Sequence, residues 1–115
     1  MNIEDYRELC LKLPYVEETT PFGPDVLVFK VGGKMFSTLS LSDSDARTNL
    51  KCDPERALDL REEYEGVLPG WHMNKVHWNT LILDILPDDL IKELLRHSYD
   101  LVLASVPKSK RPDQN

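Results

Sequence analysis

A chain of 115 residues, 41% hydrophobic and 30% charged, has the size and composition of one globular domain. It is long enough to bury a core without disulfides or metals as staples, and no apolar run approaches the ~20 residues that span a bilayer. A net charge of −6 opposes a phosphate partner on average, so the distribution of that charge decides what the chain can bind.

The start, Met1-Asn2-Ile3-Glu4-Asp5, lacks the basic residues and apolar stretch of a secretory signal, which predicts a cytoplasmic protein. Asn2 is placed to cap a first helix whose first turn carries Glu4 and Asp5. Ile3, Tyr6, Leu9, Cys10 and Leu13 recur at helical spacing, and Pro14 ends the run. The stretch from Val16 to Pro24, with Pro21-Phe22-Gly23-Pro24, reads as an irregular connection with room for a short strand. Val26 to Val31 is β-branched and aromatic and predicts a strand. Gly32-Gly33 then turns the chain into Lys34 to Leu41, the return strand of a hairpin. After a turn at Asp43-Ser44-Asp45, Arg47 to Cys52 predicts a third strand. Asp53 followed by Pro54 marks the start of a second helix that runs to about Tyr64. Gly66 to Lys75 reads as a loop and His77 to Asp84 as a fourth strand. Pro87, Asp88 and Asp89 open the last helix, whose apolar stripe is Leu90, Ile91, Leu94, Leu95, Ser98, Leu101 and Val102. Pro107 stops it. Residues 1–106 therefore form one domain and 107–115 a flexible polar tail.

The order α-β-β-β-α-β-α with short connections predicts an antiparallel sheet. Helices on one face of it make a two-layer α+β sandwich, leaving the other face to water or a partner. Strand side chains alternate between faces. With Leu27, Phe29, Val31, Met35, Leu39, Leu41, Thr48, Leu50 and Cys52 toward the helices, the opposite face gathers Lys30, Lys34, Arg47 and Lys51 around Phe36. In the fourth strand either Trp78 and Ile82 or Leu81 and Leu83 point inward. Charge follows the same division: residues 1–25 and 53–65 each carry −4, whereas residues 26–52 carry +2. A basic, partly aromatic sheet face suits nucleic acid, with cations on phosphates and aromatics on bases. The plainer reading is a solvated face whose lysines discourage edge pairing.

The most distinctive stretch is Val67-Leu68-Pro69-Gly70-Trp71-His72-Met73-Asn74-Lys75-Val76-His77-Trp78. A loop tryptophan is packed or used in recognition. Trp78 in a strand suits the core, Asn74 suits a turn, and His77 suits a hydrogen bond to a neighbouring loop. This stretch, with Pro21-Phe22-Gly23, Val28-Phe29-Lys30-Val31, Gly33-Lys34-Met35-Phe36, Asn49-Leu50-Lys51-Cys52-Asp53-Pro54 and Ser98-Tyr99, resembles the MmcQ/YjbR family of small bacterial proteins over nearly the whole chain. The resemblance implies a sandwich similar to the frataxin-like fold and DNA binding through a double-wing arrangement of loops. By position it points to Lys34, Lys51, Trp71, His72, Asn74, Lys75, His77 and Trp78 as contacts. Lysines would position phosphates, and Asn74 would read a base edge.

Other chemistries find less support. His72, His77 and His97 have no nucleophile motif around them, and no Gly-rich phosphate loop occurs, so the chain is expected to be no enzyme and to carry no cofactor. His72 and His77 are five apart, which fits no common zinc spacing, and the acidic start of Glu4, Asp5, Glu8, Glu17 and Glu18 reads as a solvated face, so no metal site is expected. Cys10 and Cys52 read as buried thiols. The expected partner is DNA, the alternative a protein, with no membrane, and both a monomer and a homodimer fit the sequence.

Overall fold

The computed structural model describes residues 1–42 and 45–111. Asp43 and Ser44 of the expected turn, and residues 112–115 of the expected tail, lie outside that range. Among the described residues the elements are α1 (Ile3–Lys12), β1 (Glu17–Thr19), β2 (Val26–Val31), β3 (Lys34–Ser40), β4 (Arg47–Lys51), α2 (Pro54–Glu63), β5 (Val67–Pro69), β6 (Trp78–Ile82) and α3 (Asp88–Ser105). The helix starts follow the expected chemistry: Asn2 Oδ1 accepts the Asp5 N–H at 2.7 Å, and Asp53 caps α2 through the Arg56 N–H ahead of Pro54. Gly32 and Gly33 have φ of 58° and 79°, the pair of positive values that a tight hairpin turn requires.

The strands form one antiparallel sheet in the order β1-β2-β3-β4-β6-β5. The expected two-layer α+β architecture is what the chain adopts, with two short strands, β1 and β5, added at the edges. Three residues each are too few to show an alternating pattern. α3 packs across β2, β3 and β4, and the buried cluster joins Tyr6 and Cys10 of α1 and Ala57 and Leu60 of α2 to Phe29, Leu39, Leu50 and Leu81 of the sheet.

The alternation of β3 breaks once. Pairing with β2 runs through Phe29 opposite Ser37 and then jumps to Lys30 opposite Met35, leaving Phe36 as the extra residue of a β-bulge. Phe36 therefore points to the helices, fully buried, with Tyr99 edge-on at 5.3 Å. Met35 turns to the outer face. This corrects the expectation that Phe36 lies outward and Met35 inward. Lys34 also leaves the outer face: its Nζ donates to the Ser105 carbonyl at 3.1 Å, at the end of α3. The bulge opens the ladder between β3 and β4, and the buried Ser98 hydroxyl fills the gap. It accepts the Lys51 N–H at 2.9 Å and donates to the Phe36 carbonyl at 2.6 Å. Nearby, Tyr6 OH, Ser37 Oγ and Thr48 Oγ1 lie within 2.9 Å of one another, so the polar atoms of the buried layer satisfy each other. Burial pushes the Cys10 thiol beside them up to about 12 and raises Tyr6 well above the usual phenol value.

Candidate recognition site on the outer sheet face

The register sets what the outer face carries. Thr19, Val28, Thr38, Asn49, Thr80 and Leu68 form one row, and Val26, Ser40, Arg47 and Ile82 form the next. Leu81 and Leu83 are buried against the helices, so Trp78 and Ile82 take the outer side, Trp78 opposite Lys51. Among the described residues no helix covers this face. Two loops rise from it instead and enclose an open cleft of about 800 Å3. Met35, Thr38, Ser40, Arg47, Asn49 and Thr80 make its floor, Phe22 one wall, and Trp71, His72 and Met73 the other.

Each wall has a local cause. The turn before β2 carries Phe22, which is 69% exposed, next to Gly23 at φ 102°. The opposite wall starts at Gly70, whose N–H donates to the Trp78 carbonyl at 3.0 Å. A Cβ there would stand 2.8 Å from that of Trp78, so only glycine permits the approach. Two residues of the floor then fasten Trp71. Its N–H donates to Thr80 Oγ1 at 2.9 Å, its carbonyl accepts from Asn49 Nδ2 at 3.1 Å, and Thr80 Oγ1 donates to Asn49 Oδ1, closing a ring of hydrogen bonds. Trp71 is nonetheless 69% exposed, and its indole sits edge-on to the His72 ring at 4.6 Å. His72 adopts φ 58°, a left-handed conformation that costs a side-chain-bearing residue strain and turns the loop back. Arg61 of α2 braces the far side, donating to Asn79 Oδ1 at 2.7 Å and to the carbonyls of Lys75 and Trp78.

Of the residues singled out from sequence, Arg47, Trp71 and His72 line the cleft, and Lys30, Lys51 and Trp78 share its face outside the lining. The Arg47 guanidinium holds the Asp45 carboxyl below its ordinary value through a hydrogen bond from Nε at 2.9 Å. Lys30 stands opposite Glu17. Lys34 lies on the helix side, as described. Lys75 Nζ donates to the Gly70 carbonyl at 3.0 Å, and the residue lines a smaller hollow with Pro54, Leu58, Arg61 and Val76. Asn74 Oδ1 accepts the Val76 N–H at 2.9 Å, which makes it a turn residue. His77 is exposed, and its carbonyl accepts the Cys52 N–H at 2.8 Å. Sequence reasoning missed Met35, Thr38, Met73, Asn49, Thr80 and Phe22 as parts of one site. Asn49 and Phe22 stood inside family-like strings, while Thr80 carried no signal. Among the described residues no three His, Cys, Asp or Glu side chains group as metal ligands would, and no helix is long and apolar enough to cross a membrane.

Comparison with known proteins places the chain. The family model described as YjbR matches residues 11–101, and the chain belongs to that family. It is 38% identical over 106 residues to the uncharacterised protein YbdF of Escherichia coli O157:H7, covering 91% of this chain and 87% of that one. It is 31% identical over 112 residues to the uncharacterised protein YjbR of E. coli K12, covering 96% and 95%. Among solved structures it is similar to Deinococcus radiodurans protein DR2400, a DUF419 domain, with a TM-score of 0.88 and 40% identity over 95% of this chain and 84% of that one. A Pseudomonas syringae protein follows the same fold with a TM-score of 0.79 and 26% identity, covering 89% and 99%.

Proposed function

We propose that this YjbR-family chain is a non-catalytic, cytoplasmic nucleic-acid-binding protein that meets its ligand with the outer sheet face. The observation that carries the reading is the asymmetry of the two faces. Lys30, Arg47 and Lys51 share the outer face with the exposed Trp71 and outnumber its acids, Glu17 opposite Lys30 and Asp45 beside Arg47, whereas in each of α1, α2 and α3 the acidic residues outnumber the basic ones. Cations neutralise phosphates and release counterions, and the aromatic ring stacks on bases. His97 Nε2 accepts the Asp53 N–H at 3.2 Å, which gives that imidazole a structural role at the start of α2.

With Lys34 and Lys75 engaged in the protein's own carbonyl contacts and Arg47 hydrogen-bonded to Asp45, the proposed phosphate contacts on this face fall to Lys30 and Lys51. Two neutralised phosphates give a log–log salt slope of roughly −1.4 for a single strand. Fluorescence anisotropy of labelled oligonucleotides at several salt concentrations measures it. The Lys30→Glu, Lys51→Glu double variant is expected to bind more weakly with a flatter slope. Absence of binding at low salt, where electrostatics is strongest, overturns the proposal.

A protein partner is the second reading, favoured by the lining itself. Phe22, Met35, Trp71 and Met73 are side chains of the types enriched at the centres of protein interfaces. An apolar interface of that kind is nearly indifferent to salt, which separates it from phosphate binding in the same titration.

A further inference from the structure

We propose that the outer cleft seats a single unpaired nucleobase, so that the protein takes single-stranded rather than duplex nucleic acid. The inference rests on the nucleic-acid reading of this face and adds which part of the ligand enters the cleft.

The lining carries the argument. About 800 Å3 lies within the range of small-ligand sites, room for one nucleotide, and the open side lets a strand continue outward. The walls are Phe22, Trp71, His72 and Met73, with Met35 on the floor, and all but His72 are apolar or soft. Such walls offer a phosphate little to replace its hydration. The cation in the lining, Arg47, stands beside Asp45. A flat ring fits these walls, and the floor hydroxyls of Thr38 and Ser40 offer donors and acceptors to its polar edge. Lys30 and Lys51 lie on the same face outside the lining, where the phosphates of a strand with one base in the cleft would run. A paired base is stacked and hydrogen-bonded within its helix and has no face to offer.

The presentation of Trp71 supports the same ligand. Its backbone N–H and carbonyl are both fastened to the floor while the residue is 69% exposed. A loop backbone held this way loses little freedom when its ring stacks, which favours binding. Phe22, exposed to the same degree, supplies the facing wall.

The chain has two tryptophans, so Trp78→Phe leaves Trp71 as the fluorescent reporter. Four probes are titrated into that protein: a single strand of about a dozen nucleotides, the matching duplex, an abasic strand of equal length, and adenosine monophosphate. The expected result is quenching by the single strand, little by the duplex or the abasic strand, and a loss of about tenfold in affinity in Trp71→Ala. Phe22→Ala gives a second reading at the opposite wall. Quenching by adenosine monophosphate as tight as that by the strand supports the base site and assigns its source as a free nucleotide. Salt-dependent binding of all strands alike, with Trp71→Ala unchanged, overturns the base site and leaves the nucleic-acid reading standing. Absence of binding by every probe overturns both.

Discussion

The two faces of the sheet are made by the same strands and end up with opposite duties. On the inner face three helices seal the layer, and its polar groups pair among themselves: Tyr6 with Ser37 and Thr48, and Ser98 with the open ends of the bulge. On the outer face polar groups are used differently. Asn49 and Thr80 fasten the backbone of a loop whose tryptophan stays exposed. Thr19 Oγ1, in the outer row, is buried without a partner among the described residues. The difference teaches that alternation alone does not tell a sealed face from a presenting one. The destination of each polar atom does.

Substitutions can sharpen that comparison, because inner-face changes should move stability and outer-face changes should move binding. The largest effect is expected for Phe36→Ala, which empties a fully buried site and should cost about 3–5 kcal/mol in urea unfolding. Simple alternation would put Phe36 outside at negligible cost, so this variant also tests the bulge. Ser98→Ala is expected to cost about 1–3 kcal/mol, since it strips the Lys51 N–H and the Phe36 carbonyl of their shared partner. Neither variant should alter ligand affinity of the folded protein.

Asn49→Ala should do the reverse. It removes one of the two fastenings of Trp71 and is expected to cost about 1 kcal/mol of stability. Affinity should fall much further, and the tryptophan should become more mobile by time-resolved anisotropy. If stability drops as far as in Ser98→Ala with affinity unchanged, Asn49 belongs to the structural set and the division between the faces fails there. The last effect shows only at alkaline pH, in the sealed layer. The Cys10 thiol is raised by burial to about 12 from an ordinary value of 9.0, and Tyr6 is raised by the same cause. A raised folded value on an acid means that the folded state keeps the proton longer. That contribution is fully present below pH 9 and is lost as pH rises toward 12. Unfolding free energy measured between those limits should fall, and less so in Cys10→Ala.

Much of the scaffold was legible in the chain. Asn2 and Asp53 announced their helices, Gly32-Gly33 its turn, and Thr48 and Leu50 the inward side of β4, with Cys52 buried just past its end. The bulge was not, because Lys34 to Ser40 reads as ordinary alternation until its pairing with β2 is known. That single extra residue moved Phe36, Met35 and Lys34 to faces opposite those expected. Trp71 was legible as a recognition candidate by its residue type. Its clamp was not, since Asn49 and Thr80 lie 22 and 9 residues from it along the chain and meet it only through the fold. Lys34 and Lys75 show the same limit: sequence gives a charge but not the carbonyl it settles on.

The claim that binding belongs to the outer face is tested most directly by mapping amide chemical shifts of the labelled protein during titration with a single-stranded oligonucleotide. The largest changes are expected at Phe22, Asn49, Trp71, His72 and Thr80, with Lys30 and Lys51 following and the exposed sides of the helices unmoved. Changes concentrated on the acidic surfaces of α1, α2 or α3, with the cleft silent, would contradict it.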